Sequence, residues 1–248
     1  NHISVRNDDG VAYLEAMSPV DCIFLDPARR NEHGGKTVAI SDCEPNVAEL
    51  EGLLLSKANR IMIKLSPMLD LSQALKELPH TQEVHIISVN NECKELLLLL
   101  GQTAPEEIPV HCVNLSTKGE QEKQLFVFTR EQEQHSECSY TDTLGNYLYE
   151  PNASLLKAGA FRSIAAAYSA KKLHPNSHLY TSDTQIEGFP GRTFRIINRC
   201  SLNKKEIKEN LSDLKKANIT VRNFPATVAE LRKRIKLAEG GDTYLFAS

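Results

Sequence analysis

The sequence predicts an α/β protein, an open and largely parallel sheet carrying helices on both faces, followed by a smaller α+β module. Three observations predict it. Short, wholly apolar runs alternate with segments of helical apolar spacing through the first half of the chain. The charge breaks sharply in two: residues 1–150 carry 12 Lys and Arg against 24 Asp and Glu, a balance of −12, whereas residues 151–248 carry 17 against 8, a balance of +9. From Thr193 onward the pattern reads β-α-β-α-β, with helix-start signals at Asn203 and Thr227. An acidic part joined to a basic part implies modules with different partners, and a polyanion suits the basic one.

Each element follows from local chemistry. Ile3–Arg6 alternates and reads as a strand. Val11–Met17 reads as a helix, with Asp8 and Asp9 at its start. Asp21–Leu25 (DCIFL) is a short apolar run that suits a buried parallel strand and ends at Asp26-Pro27. Glu32–Lys36 is a glycine-containing loop. Asn46–Leu55 places Val47, Leu50 and Leu54 at helical spacing. Arg60–Leu65 is a strand stopped by Ser66-Pro67. Leu71–Leu78 is a helix ended by Pro79. Glu83–Val89 is a strand, and Cys93–Leu100 reads as a helix closed by Gly101. Val110–Leu115 and Gln124–Thr129 read as a hairpin around Gly119, forming the sheet edge. Residues 131–150 are polar and read as a linker; Pro151–Ala170 is helix-rich and broken at Gly159. In the tail, Thr193–Arg199 is a strand, Asn203–Lys216 a helix, Ile219–Phe224 a strand, Thr227 opens a second helix, and Gly240-Gly241 turns into a last strand, Thr243–Ala247.

Several classes are excluded by composition. Apolar residues make up 41% and charged residues 25%, which rules out a collagen-like chain and a disulfide-dense mini-protein. The longest apolar run, Leu96–Leu100, is too short for a membrane helix. Six cysteines are scattered with no CxxC pair, so neither a zinc ribbon nor a thiol redox site is expected, and a cytoplasmic location fits. His174 and His178 stand four apart, but Pro175 and Asn176 between them disfavour a helical metal pair. No metal is expected. Gly35-Lys36-Thr37 lacks the P-loop glycine five residues upstream, where Arg30 stands.

The sharpest chemical feature is Asp26-Pro27-Ala28-Arg29-Arg30. A carboxylate at the carboxyl end of a parallel strand faces the crevice where open α/β sheets bind ligands. Two arginines beside it offer anion contacts. In the tail, Arg192 and Arg195 fall on one strand, Lys204, Lys205 and Lys208 on one helix, and Arg232 and Arg234 on the other. These are the candidate phosphate contacts, with Arg30.

In order and spacing, the strand, the Asn7-Asp8-Asp9-Gly10 turn, the helix and DCIFLDPARR resemble the central part of class I S-adenosylmethionine-dependent methyltransferases. DPARR, the PNASLLKAGAF stretch and the tail FPGRTFRI…GGDTYLF resemble a group of bacterial methyltransferases with a THUMP-like C-terminal domain. The resemblance implies a partial Rossmann-like methyltransferase sheet over residues 1–131, an intermediate helical segment over 132–190 and a basic THUMP-like α+β domain over 191–248. It implies S-adenosylmethionine as cofactor, with Asp9 and Asp8 beside the adenine. It implies Asp26, Pro27 and Arg29 at the reaction centre and RNA, of the tRNA or rRNA class, as partner. Three departures bear on it. No glycine-rich turn precedes Asp26, so a fragment lacking the cofactor loop is expected, inactive on its own. Arg29 replaces the aromatic that stacks on a target base. Lys64-Leu65-Ser66-Pro67 holds no cysteine, which disfavours the uridine C5 chemistry that a DPPR-type motif accompanies. A non-catalytic RNA-binding module and a small-molecule α/β enzyme are the rival readings.

Overall fold

A computed structural model of the chain describes residues 3–29, 39–117 and 123–248. The architecture is mixed α/β, and the chain divides into two compact units: residues 1–135 with 152–160, and residues 136–151 with 161–248.

The first unit is built on a sheet of six strands among the described residues. Helix α1 (Gly10–Ala16) leads into β1 (Val20–Leu25), and a short pair, β2 (Ala28–Arg29) with β3 (Cys43–Glu44), follows. Then come α2 (Val47–Lys57), β4 (Ala58–Leu65), α3 (Leu71–Glu77), β5 (Thr81–Val89), β6 (Glu92–Gly101), β7 (Pro109–Leu115), β8 (Lys123–Thr129) and α4 (Arg130–His135). The strand order is β1-β4-β6-β5-β7-β8. β1 runs parallel to β4 and β5 parallel to β7, while β6 is antiparallel to both its neighbours. The sheet is therefore mixed rather than purely parallel, with the expected β7–β8 hairpin at its edge.

The source of the antiparallel strand is a correction to the sequence reading. Cys93–Leu100 is not a helix but the body of β6. Asn90 and Asn91 form a two-residue turn with φ of 50° and 64°, and Val89 pairs with Glu92 directly across it. Asparagine tolerates the left-handed region that such a tight hairpin demands. Once the chain has turned, a leucine run alternates as any strand does. Leu96, Leu98 and Leu100 are buried with Val84, Ile86, Ile61 and Ile63, whereas Leu97 and Leu99 sit half-buried on the opposite face. Full burial of each such side chain contributes about 1.5–3 kcal/mol. α5 (Ala153–Ala158) returns from the second unit's sequence to pack on β5, β6 and β7, with Leu155 fully buried.

Two further corrections concern the amino-terminal side. Ile3–Arg6 forms no strand; Ile3 and Val5 are 87% and 89% exposed. Alternation favours a strand only where a neighbour takes its hydrogen bonds and a second layer covers its apolar face. β1 is parallel as expected, but it is the outermost strand among those described and is not buried. Phe24 is 58% exposed, and Cys22 is exposed too.

The second unit holds an antiparallel sheet ordered β10 (Lys171–Lys172), β11 (Tyr180–Ser182), β9 (Tyr147–Pro151), β12 (Gly191–Arg195), with α6 (Arg162–Ala167). The polar stretch read as a linker therefore ends in a central strand. Gly191 lies so close to Glu150 O that a Cβ there would meet it at 2.2 Å, which explains the glycine. The rest comprises α7 (Lys204–Leu211), β13 (Asn218–Val221), α8 (Val228–Ile235) and β14 (Tyr244–Ala247), with β13 parallel to β14. The first strand of the tail, β12, hydrogen-bonds to β9. Among the described residues no helix is long and apolar enough to cross a membrane.

Candidate functional site

Asp26 stands one residue beyond β1, and the parallel register pairs Leu25 with Ile63 of β4. The next residue on β4 is Lys64, and its ammonium forms an ion pair with Asp26 Oδ2. The hydrogen bond to Asp26 raises the Lys64 pKa above the ordinary lysine value, with the Asp26 and Glu95 charges adding to it. Pro27 is buried behind the carboxylate, and the backbone of Arg29 pairs with Cys43 in the β2–β3 ribbon. The ribbon starts two residues after Asp26 and so fixes where the chain goes from the strand end. Lys64 was seen in the sequence only as the place where a cysteine is missing. The signal that finds it is the register, since two parallel strands ending in Asp and Lys set those side chains side by side. Arg30, the 32–36 loop, Gly35-Lys36-Thr37 and Gly119 lie outside the described residues.

Asp9 is the N-cap of α1. Its Oδ1 accepts hydrogen bonds from the amides of Val11 and Ala12, both at 2.9 Å. Asp8 beside it is exposed. As hydrogen-bond acceptors, both fit the amino group of an adenine. Gly10, the one glycine among residues 3–29, lies inside α1, so this stretch offers no glycine-rich turn to the methionine end of such a cofactor.

The basic residues of the second unit fall into two sets. Lys204, Ile207, Lys208, Arg234, Ile235 and Lys236 line an open groove of about 600 Å³ between α7 and α8. The helix caps set its walls. At α8, Thr227 N donates to Glu230 Oε2 at 2.7 Å and Glu230 N to Thr227 Oγ1 at 3.2 Å. At α7, Asn203 Oδ1 accepts from Glu206 N, while the Glu206 carboxylate accepts from the backbone amide of Ser201 and from Asn203 Nδ2 rather than from the backbone amide of Asn203. Those amide bonds hold both glutamates below the usual carboxylate range. Lys236 ends α8 in the left-handed conformation, and Arg234 donates to Leu202 O at 2.7 Å, tying one wall to the other. Lys205 is exposed and lies 3.9 Å from Glu209. Arg195 is exposed on β12.

The second set is held internally. Arg192 and Arg222 both pair with Glu150, whose side chain is 1% exposed, and Arg192 lies over the rings of Phe194 and Tyr244 at 5.4 and 5.2 Å. Arg232 donates to Leu237 O and Ala217 O, joining α8 to β13. Arg192 and Arg232 thus carry the fold, while Lys204, Lys208 and Arg234 line the groove. Nearby, His178 stacks on Phe161 at 3.6 Å; burial, with Lys172 and Arg222, pushes its pKa down to about 4. His174 and His178 lie outside any helix, as Pro175 and Asn176 imply.

Comparison with known proteins places these features. Residues 147–190 match a ferredoxin-like domain and residues 191–248 a THUMP-like domain. The fold is thus the mixed α/β sheet with a smaller THUMP-like domain. A crystal structure of a candidate methyltransferase from Porphyromonas gingivalis W83 superposes with a TM-score of 0.80 at 41% identity, covering 91% of this chain and 55% of that one. The chain therefore spans about half the length of that solved structure. No curated protein matches it.

Proposed function

We propose that the protein is an S-adenosylmethionine-dependent methyltransferase acting on RNA, of the tRNA or rRNA class, in the cytoplasm. The observation that carries the reading is the 41% identity, over 91% of the chain, to a candidate methyltransferase. The THUMP-like match and the groove of Lys204, Lys208 and Arg234 support RNA as the substrate class. In this reading residues 1–131 contribute the sheet that bears the reaction centre, 132–190 connect it to the RNA-binding part, and 191–248 grip the substrate.

When bound, the cofactor supplies the methyl group. Asp8 and Asp9 hold its adenine end. Asp26 accepts a hydrogen bond from the group to be methylated and turns its lone pair toward the donor. Lys64 fixes the carboxylate and Pro27 stiffens the turn. Such a centre works by orientation, which in well-aligned systems accounts for about 7–11 kcal/mol of barrier lowering. Lys204, Lys205, Lys208, Arg195 and Arg234 face the polyanion.

The test is transfer of a labelled methyl group from S-adenosylmethionine to bulk RNA by the complete protein that contains this chain. Incorporation lost with Asp26→Ala, while RNA binding persists, is the expected result. Absence of incorporation by the wild-type protein, alongside intact RNA binding, would favour a non-catalytic RNA-binding module.

A further inference from the structure

Glu83, His85 and His111 form a cluster that none of the function above uses. β5 and β7 are parallel neighbours, and their register sets His85 directly opposite His111. The two imidazoles stack with centroids 4.3 Å apart and planes 8° from parallel. Glu83 stands two residues before His85, so strand alternation puts its carboxylate on the same face. Glu83 Oε2 lies 3.0 Å from His85 Nε2 and 3.8 Å from His111 Nε2. One ligand atom from each residue can be chosen so that all three lie within 4.8 Å of one another.

The surroundings make this grouping more than a chance meeting of surface polar residues. Along the same row of the sheet, His85 is flanked by Leu97 of β6 and His111 by Val127 of β8. The next row holds Ile87 and Val113. Glu95 of β6 stands opposite Ile87 in that row, so the three ligating groups sit in a mostly apolar patch with one further carboxylate beside it. The side chains are 26%, 26% and 44% exposed, so an ion reaches them from solvent without the strands parting. The two rings come from rigid neighbouring strands rather than from loops, so their spacing is set by the hydrogen-bonded ladder.

We propose that Glu83, His85 and His111 form a binding site for a divalent transition-metal ion, of which Zn²⁺ is the best fit. Two imidazoles and one carboxylate are the ligand set of three-coordinate protein zinc sites that keep a fourth position for water. Imidazole selects against Mg²⁺ and Ca²⁺, which take oxygen ligands. At Zn–N and Zn–O distances of about 2.0–2.2 Å, the ligand atoms must close to about 3.3 Å from one another. Side-chain rotation on half-exposed residues supplies that movement. The ion takes the place of the His85–Glu83 hydrogen bond and uses the same two atoms.

The register also fixes where the site lies. Lys64 on β4 is opposite Leu97 on β6, which is opposite His85 on β5. At about 4.8 Å per strand, the site is about 10 Å from Lys64 in the same row of the same sheet. An ion there adds positive charge to the face that carries the Asp26–Lys64 pair.

The test is calorimetric titration of ZnCl₂ into the full chain, compared across His85→Ala, His111→Ala, Glu83→Gln and Cys22→Ser. The last removes an exposed thiol. The site predicts one equivalent whose affinity falls at least about tenfold in each histidine variant and is kept in Cys22→Ser. Co²⁺ loaded in the same way should show visible bands without thiolate charge transfer, because the ligands are nitrogen and oxygen. Glu83→Gln keeps the side-chain shape and guards against a histidine variant that fails to fold; it should weaken binding in a folded protein. Unchanged Zn²⁺ affinity in the folded His85→Ala and His111→Ala proteins, a thiolate-type Co²⁺ spectrum, or no binding to the wild type would overturn the site.

Discussion

Asp26, just past β1, and Lys64, near the end of β4, are joined by an ion pair across the carboxyl ends of two parallel strands. The pair ties the DPARR segment to the neighbouring strand, and both partners are substantially open to solvent. A pair so exposed adds little to stability, because water screens it and two long side chains must be held still. Its worth under the proposed mechanism lies in orientation.

That gives a first prediction. In the complete protein, Asp26→Ala should lower methyl transfer at least about a hundredfold, the lower end of what a positioned acid–base group contributes. Lys64→Met should lower it less, since the carboxylate remains but loses its tether. Both should leave the melting temperature close to that of the wild type. Transfer rates and thermal denaturation on the same preparations decide this. Full activity in Asp26→Ala would remove the DPARR segment from the chemistry.

A second prediction tests the turn that converts the leucine run into a strand. Asn90 has φ of 50°, and its side chain also accepts from the amide of Thr117 at 3.0 Å. Asn90→Val puts a β-branched residue in the left-handed region and deletes that bond. The backbone term alone costs about 1–2 kcal/mol. Urea unfolding followed by far-ultraviolet dichroism should show a lower midpoint with an unchanged slope. An unchanged midpoint would mean that the turn does not fix the β5–β6 register.

That turn also shows what the sequence disclosed and what it did not. Most elements were legible because apolar runs and capping leave local marks: the DCIFL and RIMIKL runs, the capping residues Asn203 and Thr227, and the breaks at Pro79 and Gly159. β6 was missed because five consecutive leucines carry no period, so helix and strand score alike; only Asn90-Asn91 distinguishes them. Ile3–Arg6 was misread for the opposite reason, since it has the period of a strand but no strand partner among the described residues. The candidate site was half legible. Asp26 announces itself by its place at a strand end. Lys64, Glu150 and the His85–His111 pair become visible only when register brings distant residues together. The charge sum likewise could not separate Arg192, bound to a buried carboxylate, from Lys204, open in a groove.

The third prediction concerns that buried carboxylate. Glu150 pairs with Arg192 and Arg222 and is almost fully enclosed. Glu150→Gln leaves two guanidinium groups without their anion; because both are about a third open to water, the cost falls below the ~3–5 kcal/mol of a stranded, fully buried charge. The loss should appear in urea unfolding of the full chain. If Glu150→Gln unfolds with the wild-type midpoint, the two arginines find equal partners elsewhere and the triad does not hold the unit together.

A fourth prediction follows from His178. Burial, Lys172 and Arg222 push it to about 4, from an ordinary value of 6.5. Between those values the unfolded chain binds a proton that the folded unit refuses, so stability rises with pH across that window. Its contribution is complete above about 6.5 and is lost as pH falls toward 4. His178→Asn should therefore show a shallower decline of urea midpoint between about pH 7 and pH 5 than the wild type. Parallel declines would place the titration on other groups.

The last prediction concerns the groove. If Lys204, Lys208 and Arg234 contact phosphates, binding of single-stranded RNA should weaken steeply with salt. Each neutralised phosphate releases condensed counterions, so the log–log slope changes by about −0.7 per contact. Lys204→Glu, Lys208→Glu and Arg234→Glu together should flatten the slope by about 2 and reduce affinity on any sequence alike, since phosphate contacts position without specifying. Lys204 and Lys208 are exposed at the groove wall, so their reversal leaves the buried Leu231 and the caps of both helices in place, while Arg234→Glu also removes the bond to Leu202 O, so the melting temperature is measured alongside. Arg192→Ala behaves differently: Arg192 is bound to Glu150, so its loss should lower the melting temperature and change the slope much less. The experiment belongs on the whole chain rather than on residues 190–248, because β12 takes its hydrogen bonds from Tyr147–Pro151 and Glu150 holds Arg222. Fluorescence anisotropy across a salt series, for the wild type, the triple reversal and Arg192→Ala, separates the two roles. Coincident curves for wild type and triple reversal would make the groove an ordinary solvated surface, and a slope lost in Arg192→Ala without loss of stability would move the RNA contact to β12.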